Sequence, residues 1–158
     1  MLSIRAARAT DVLLLRTMIR ELAEFERELD QVSITEKDLL RDGFGPNPKF
    51  RALIAEWEGR PAGYALFFDY YSTWVGRELY LEDLFVREAF RGKGIGKALL
   101  AAVARVAQTE GCCAMQWEVL DWNKKAVDLY EKMGAEFRDG WRSVLLGPEA
   151  LDRLAKQE

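Results

Sequence analysis

Histidine is absent from all 158 residues. That removes Ser–His and Cys–His nucleophilic arrangements and most metal-ligand sets, so no metal site is expected. Acid–base chemistry falls to Glu, Asp, Tyr, Lys, Cys or water. Cysteine is scarce: Cys112 and Cys113 are the two, adjacent in sequence and poorly placed to bridge one another. No disulfide framework can be built from them, and a reducing cytoplasmic setting is expected. No apolar run approaches the roughly 18 residues of a membrane span, and no secretory leader pattern opens the chain, so no membrane partner is expected. Neither charge dominates. The 23 Lys and Arg against 26 Asp and Glu leave a net −3, which gives no reason to expect a nucleic-acid surface. What remains is 49% hydrophobic and 31% charged, the composition of an ordinary globule. The length suits a single domain over residues 1–158.

The most informative stretch is residues 79–103, LYLEDLFVREAFRGKGIGKALLAAV. Leu79 to Val86 concentrates Leu, Tyr, Phe and Val, as a strand does. Glu82 and Asp83 sit inside that apolar run, where a carboxylate is costly unless paired or used. A satisfied buried acid, or a strand edge meeting water, would explain Glu82 without function. A bulge near Asp83 would let the residues after it turn their amides toward a ligand. The turn Arg91-Gly92-Lys93-Gly94-Ile95-Gly96 then opens a helix, with Ile95, Leu99, Leu100, Val103, Val106 and Ala107 at 3.6-residue spacing. Its glycines let the backbone come close to a ligand and adopt φ > 0. Amides at a helix N-terminus, with Arg91, Lys93 and Lys97 beside them, suit phosphate oxygens. The plainer alternative is a strand–helix turn with solvated lysines.

The spacing counts against two nucleotide loops. A P-loop needs GxxxxGK followed by Ser or Thr, but Gly96-Lys97 is followed by Ala98 and Arg91 stands at the first glycine. A dinucleotide turn needs GxGxxG, but the spacing is GxGxG with Lys97 in the last slot. The pattern that fits is Arg-x-x-Gly-x-Gly after a strand. It resembles the acetyl-CoA signature of the GNAT N-acetyltransferases. YLEDLFV, RGKGIG, DWNKKAVDLYEKMGA and GWR, in that order, resemble the spermidine/spermine (diamine, thialysine) branch, as do IRELAEFE at 19–26 and TEKDLLRDGFG at 35–45.

The resemblance implies an α/β GNAT fold. Its twisted, mixed, mostly antiparallel sheet would have about six to seven strands, with about four to five flanking helices. The central strands would splay apart to admit acetyl-CoA as co-substrate. The amides of Leu84, Phe85 and Val86 would hold the pantetheine arm. Arg91, Gly92, Lys93, Gly94, Ile95, Gly96 and Lys97 would take the pyrophosphate, and Asn123, Lys124, Lys125, Ala126 and Tyr130 would also meet the cofactor. Glu82 would lie beside the amine and draw off its proton, directly or through water. Tyr130 would return a proton to the thiolate. Phe25, Glu26, Gln116, Trp117, Glu118 and Asp139 match positions around the amine. Relatives form homodimers, so one is expected here. Two departures favour a short amine over a long polyamine. Phe25 stands where polyamine enzymes tend to have Tyr, and Ser72 stands nearest to an acid that precedes Trp74 in them, although Asp69 could partly replace that charge.

The chemistry asks for these groups. An alkylammonium has a pKa of ~10.4, and its lone pair is blocked while protonated. A carboxylate with a raised pKa can relieve it. The leaving thiolate belongs to a thiol of pKa ~8.5, and a phenol near ~10 can supply its proton.

Elsewhere the chain reads plainly. Leu2 to Ala6 is a strand. Thr10 caps a helix whose apolar face is Leu14, Leu15, Met18, Ile19, Leu22 and Phe25. Its acidic end, Glu21 to Asp30, is either a solvated face or a funnel for a cation. Thr35 and Asp38 open a second helix as a capping box, ended by Gly43-Phe44-Gly45-Pro46. Phe50 to Glu58 and Ala62 to Tyr71 form a hairpin around Glu58-Gly59-Arg60-Pro61. Gly111 ends the central helix, and Cys112 to Leu120 is a strand. Asn123 caps a helix that places Asn123, Ala126, Val127 and Tyr130 on one face, where Tyr130 could equally be a core-edge tyrosine. Lys124 and Lys125 oppose the dipole there unless a phosphate is near; solvated lysines are the alternative. Gly140 to Leu146 is a final strand, and Pro148 starts a last helix through Lys156.

The expected function is direct acetyl transfer from acetyl-CoA to a primary amine of a small diamine or a lysine-like amino acid. A peptide or protein N-terminal acetyltransferase and a non-catalytic acyl-CoA-binding module are the rival classes.

Overall fold

The computed structural model describes residues 1–157. The chain divides into two compact units, one over Met1–Leu120 and one from Asp121 onward.

The first unit is built on one sheet. Strands β1 (Leu2–Ala6), β2 (Arg51–Trp57), β3 (Arg60–Ser72) and β4 (Gly76–Val86) run antiparallel in sequence order, and β5 (Met115–Gln116) joins β4 in parallel. The sheet is mixed and mostly antiparallel, as expected, but it has five strands instead of six or seven. Of the expected strand Cys112–Leu120, only two residues pair. The expected strand Gly140–Leu146 does not form. β4 begins three residues earlier than the sequence pattern suggested, at Gly76.

The β2–β3 turn is tighter than expected. Glu58 and Gly59 alone make it, at φ +51° and +74°, the left-handed pair that matches the twist of a two-residue hairpin. Arg60 and Pro61 already belong to β3.

Helix α1 (Val12–Phe25) is preceded by a single 3-10 turn, Ala9–Asp11. Thr10 lies inside that turn and does not cap the helix. Asp11 holds the N-cap position but makes no side-chain cap bond to α1; its carboxylate accepts the Arg8 N–H at 2.8 Å, closing the 3-10 turn, and Arg5 Nη1 at 2.8 Å. Helix α2 (Glu36–Phe44) starts as expected, with Asp38 N–H donating to Thr35 Oγ1 and Thr35 N–H to Asp38 Oδ2. Helix α3 (Ile95–Thr109) ends at Gly111, φ +74°. There Cys112 N–H reaches the Ala107 carbonyl and Gly111 N–H the Gln108 carbonyl, a Schellman closure.

The sheet is buried on both faces. Leu15 and Met18 of α1 pack with Ile54, Tyr64, Leu66 and Phe85. Residues of the other parity, Ala65, Phe67, Leu79 and Leu81, are buried too, and α3 packs on β3 and β4 with Leu99 and Val103 inside. Gly63 allows the close approach of β3 and β4, since a Cβ there would sit 2.3 Å from the Phe85 carbonyl oxygen.

The second unit carries α4 (Lys124–Lys132) and α5 (Pro148–Ala155). Pro148 takes the first helical position, as expected. Trp141, Val144 and Leu145 are 76%, 91% and 91% exposed. A single extended segment has no ladder to join and no face to bury, which is why the last expected strand is missing.

Candidate active site

The site in the first unit begins with a miscount in a ladder. Leu66 pairs with Asp83 and Phe67 with Leu81, so Glu82 is an extra residue opposite no partner. Such a bulge resets the alternation of side chains. Leu81 shares the α3 side with Phe67, whereas Asp83 shares the α1 side with Leu66. Glu82 and Asp83 therefore turn to one face instead of two. This is the bulge the sequence suggested near Asp83.

Other carboxylates gather on that face. Glu82 is itself exposed, yet partial desolvation lifts its carboxyl above the ordinary carboxylate range, and the Asp83 and Glu118 charges lift it further. Burial does the same to Glu26, at the end of α1, reinforced by Asp83, Glu82 and Glu28. The charges acting on Glu26 and Glu82 are thus all carboxylates. Asp83 is raised by burial and held back in part by Tyr64, whose hydroxyl donates to Asp83 Oδ2 at 2.7 Å. Tyr64 itself is fully buried, and its hydroxyl is pushed well above its usual range by burial and by Asp83. Tyr80 is raised by burial, then by Glu118 and Glu82. A face of crowded acids with raised pKa values can bind a cation or accept a proton.

Five predicted amine-side residues belong to this unit besides Glu82. Glu26 joins the acidic group, and Phe25 beside it carries the Arg91 guanidinium over its ring at 4.9 Å. Gln116 lies on β5 opposite Tyr80, and its amide donates to Glu78. Trp117 is half-buried and Glu118 exposed, just past the strand. Asp69 does not join them. It pairs with Leu79 and so faces the α3 side, where Arg77 holds it at 3.0 Å and Arg51 at 3.7 Å. It cannot replace the missing acid near Ser72. The Ser72 hydroxyl accepts the Trp74 and Val75 N–H groups, tying the β3–β4 turn.

The glycine turn is exposed from Arg91 to Gly94. Gly94 takes φ +76° as the N-cap of α3 and offers no side-chain cap, and Gly92 takes φ +77°. A Cβ added at either would meet nothing within 4 Å. The first amides of α3 thus open onto free space, which fits a pyrophosphate. Lys97 is exposed in the first turn of α3, and Ile95 is buried beneath the turn. Gly96 lies 3.7 Å, at its would-be Cβ, from Val86 Cγ2. Two cations are already engaged by the protein: Arg91 Nε donates to the Val86 carbonyl at 3.1 Å, and Lys93 lies over the Trp57 ring at 5.0 Å. β4 loses its parallel neighbour after Tyr80 but continues to Val86. Leu84, Phe85 and Val86 therefore pair with β3 alone, which is the expected splay.

In the second unit, Asn123 caps α4 as predicted, its Oδ1 accepting from Ala126 N–H at 3.4 Å. Lys124 and Lys125 are exposed in the first turn and Ala126 is half-buried. Tyr130 is buried, and burial raises its hydroxyl above the usual range. Asp139 is exposed, after the helix. The sequence reasoning missed Tyr64, Tyr80 and Glu78. The first two lie within expected strands and carry no motif that singles them out. Glu78 lay outside the strand as drawn from sequence, although it alternates with Tyr80.

A mixed sheet with a splayed central strand, a bulge bearing two acids, and a glycine turn into a helix define an acyl-transfer α/β enzyme. The profile of the Acetyltransferase (GNAT) family matches residues 15–135. The thialysine N-epsilon-acetyltransferase of Sus scrofa is 46% identical, with 96% of each chain covered. A spermidine/spermine N(1)-acetyltransferase-like protein of Homo sapiens is 38% identical over 98% of this chain and 24% of its own length. Among solved structures, an aminoglycoside N-acetyltransferase in complex with CoA shares the fold at a TM-score of 0.70 and 22% identity, covering 94% of this chain and 95% of that one. The chain belongs to the GNAT acetyltransferase family and is an acetyl-CoA-dependent N-acetyltransferase.

Asp83 keeps its proton to a higher pH in the folded protein than in the unfolded chain, so its ionisation subtracts stability as pH rises through that window. The Tyr64 hydroxyl limits this loss. Tyr64→Phe is expected to cost about 1–3 kcal/mol in urea unfolding at pH 7, because a buried carboxylate loses its donor. The deficit should shrink as pH falls and Asp83 takes up a proton. A deficit that stays constant from neutral to acid pH would contradict this role.

Proposed function

We propose that the enzyme transfers the acetyl group of acetyl-CoA directly to a primary amine of a short diamine or a lysine-like amino acid such as thialysine, with no covalent enzyme intermediate. The observation that carries this reading is the bulge at Glu82. It turns Glu82 and Asp83 onto one face with Glu26 and Glu118 nearby, and the charges acting on Glu82 are all negative. An ammonium substrate supplies the missing cation. The 46% identity to a protein named as a thialysine acetyltransferase, over nearly the whole of both chains, supports the same substrate class.

Bound acetyl-CoA supplies an acetyl thioester. The amides of Gly92 to Lys97 hold its pyrophosphate, with Lys93, Lys97 and Arg91 as nearby cations, and the free edge at Leu84, Phe85 and Val86 holds its arm. Asn123, Lys124, Lys125 and Ala126 form the second contact to the cofactor. Glu82 takes the ammonium proton, directly or through water. Its raised pKa narrows the gap to the amine's ~10.4. An ordinary phenol, with a pKa of ~10, is already protonated at neutral pH, and burial raises Tyr130 further, so it holds a proton to give to the leaving thiolate. The resemblance assigns Phe25, Glu26, Gln116, Trp117, Glu118 and Asp139 to the amine, and residues 1–158 are read as one acetyltransferase domain. The free thiols of Cys112 and Cys113 fit a reducing, cytoplasmic compartment.

A homodimer completes the reading. The exposed run with Trp141, Val144 and Leu145 is apolar surface that a second copy would cover.

Glu82→Gln and Tyr130→Phe should each lower kcat by about a hundredfold or more, the usual scale of a lost acid–base group, with the Kd for coenzyme A unchanged. Full turnover in both variants would overturn the assignment. Light scattering should give a mass twice the 18.1 kDa of one chain. A mass of one chain at micromolar concentration would rule the dimer out.

A further inference from the structure

Glu78 is the one acidic side chain in the buried class among the described residues, at 1% exposure, and the chemistry above does not use it. Its position is set by the ladder. Glu78 lies opposite Tyr70 on β3, two residues before Tyr80, and Tyr80 lies beside Gln116 of β5. Alternation puts Glu78, Tyr80 and Gln116 on one face. Asp83, opposite Leu66, lies on that same face beyond the bulge.

Gln116 Nε2 donates to Glu78 Oε2. That bond has a direction. An amide has a donor end and an acceptor end, and here the donor end is bonded to a carboxylate oxygen. Glu78 thus fixes the Gln116 amide with its nitrogen turned to the buried acid, which leaves Oε1 as the end available to a ligand. Without that constraint the amide could present either end. Around it, Tyr80 stacks with Phe68 at 5.3 Å and lies 6.2 Å from Tyr70, with Glu118 close to its hydroxyl. Aromatic faces, an acceptor oxygen and a carboxylate suit a second cation, distinct from the nitrogen that reacts at Glu82.

We propose that Glu78 is a positioning residue for substrate selection. It holds Gln116 so that Oε1 meets the second, non-reacting ammonium of the substrate, and the enzyme thereby favours amines that carry two positive groups. This rests on the amine reading above.

The test compares diaminopentane with aminopentane as acceptors for the full-length enzyme. Glu78→Leu, which leaves Gln116 Nε2 without its acceptor, should lower the diamine-to-monoamine ratio of kcat/KM by about tenfold, through the KM for diaminopentane, with kcat and the KM for acetyl-CoA unchanged. Gln116→Leu should lower the ratio to the same extent, and the double variant should go no lower than Gln116→Leu alone, since Glu78 acts through it. If Glu78→Leu does not fold, Gln116→Leu carries the comparison. Equal losses for both amines, additive losses, or an unchanged ratio would overturn the proposal. A wild-type enzyme that acetylates diaminopentane while the variants keep its ratio sinks this proposal alone; one that acetylates neither amine sinks the amine reading with it.

Discussion

One inserted residue governs the acidic side of this enzyme. In a regular ladder, Glu82 and Asp83 would point to opposite faces, and one of them would enter the layer under α3. The bulge keeps both on the α1 face, beside Glu26 and within reach of Glu118. Holding like charges together in a partly buried place is unfavourable. The fold tolerates it through the Tyr64 hydroxyl on Asp83 and through raised pKa values that let protons remain longer. In the proposed function a cationic substrate would relieve the same strain, so that binding and deprotonation would draw on one source of free energy.

The opposite charge arrangement lies a few residues on. From Arg91 to Lys97 the chain presents uncapped amides, cations and glycines with open space above them. One strand and one helix thus bring a negative face and a positive turn into a short stretch of sequence, the first assigned to an ammonium and the second to a pyrophosphate in the proposed function. Arg91 spans them, bonded to the Val86 carbonyl and lying over Phe25, the neighbour of Glu26.

Much of this was legible in the sequence because it is local. Thr35 and Asp38 three apart, Gly111 after a periodic helix, Asn123 before one and Pro148 at a first turn each announce a terminus through the residue itself. The glycine turn was legible for the same reason. What was not legible depends on pairing. Asp69 looked available until the β3–β4 register sent it to the other face, toward Arg77. Thr10 looked like a cap, but a 3-10 turn carries the start of α1 past it, and the Asp11 carboxylate at the N-cap position turns to Arg5 and Arg8. The segment Gly140–Leu146 has strand composition, yet composition supplies no partner strand. Glu78 was hidden because its burial comes from neighbours on two other strands.

The central claim is that an acid-lined face delivers an uncharged amine to an acetyl thioester. The direct test is to incubate the purified enzyme with acetyl-CoA and a panel of acceptors, following free thiol release. The panel holds short diamines, lysine-like amino acids, long polyamines and peptides with free N-termini. The account predicts the fastest release with short diamines and lysine-like amino acids. Release driven best by peptide N-termini, or none with any amine, would contradict it.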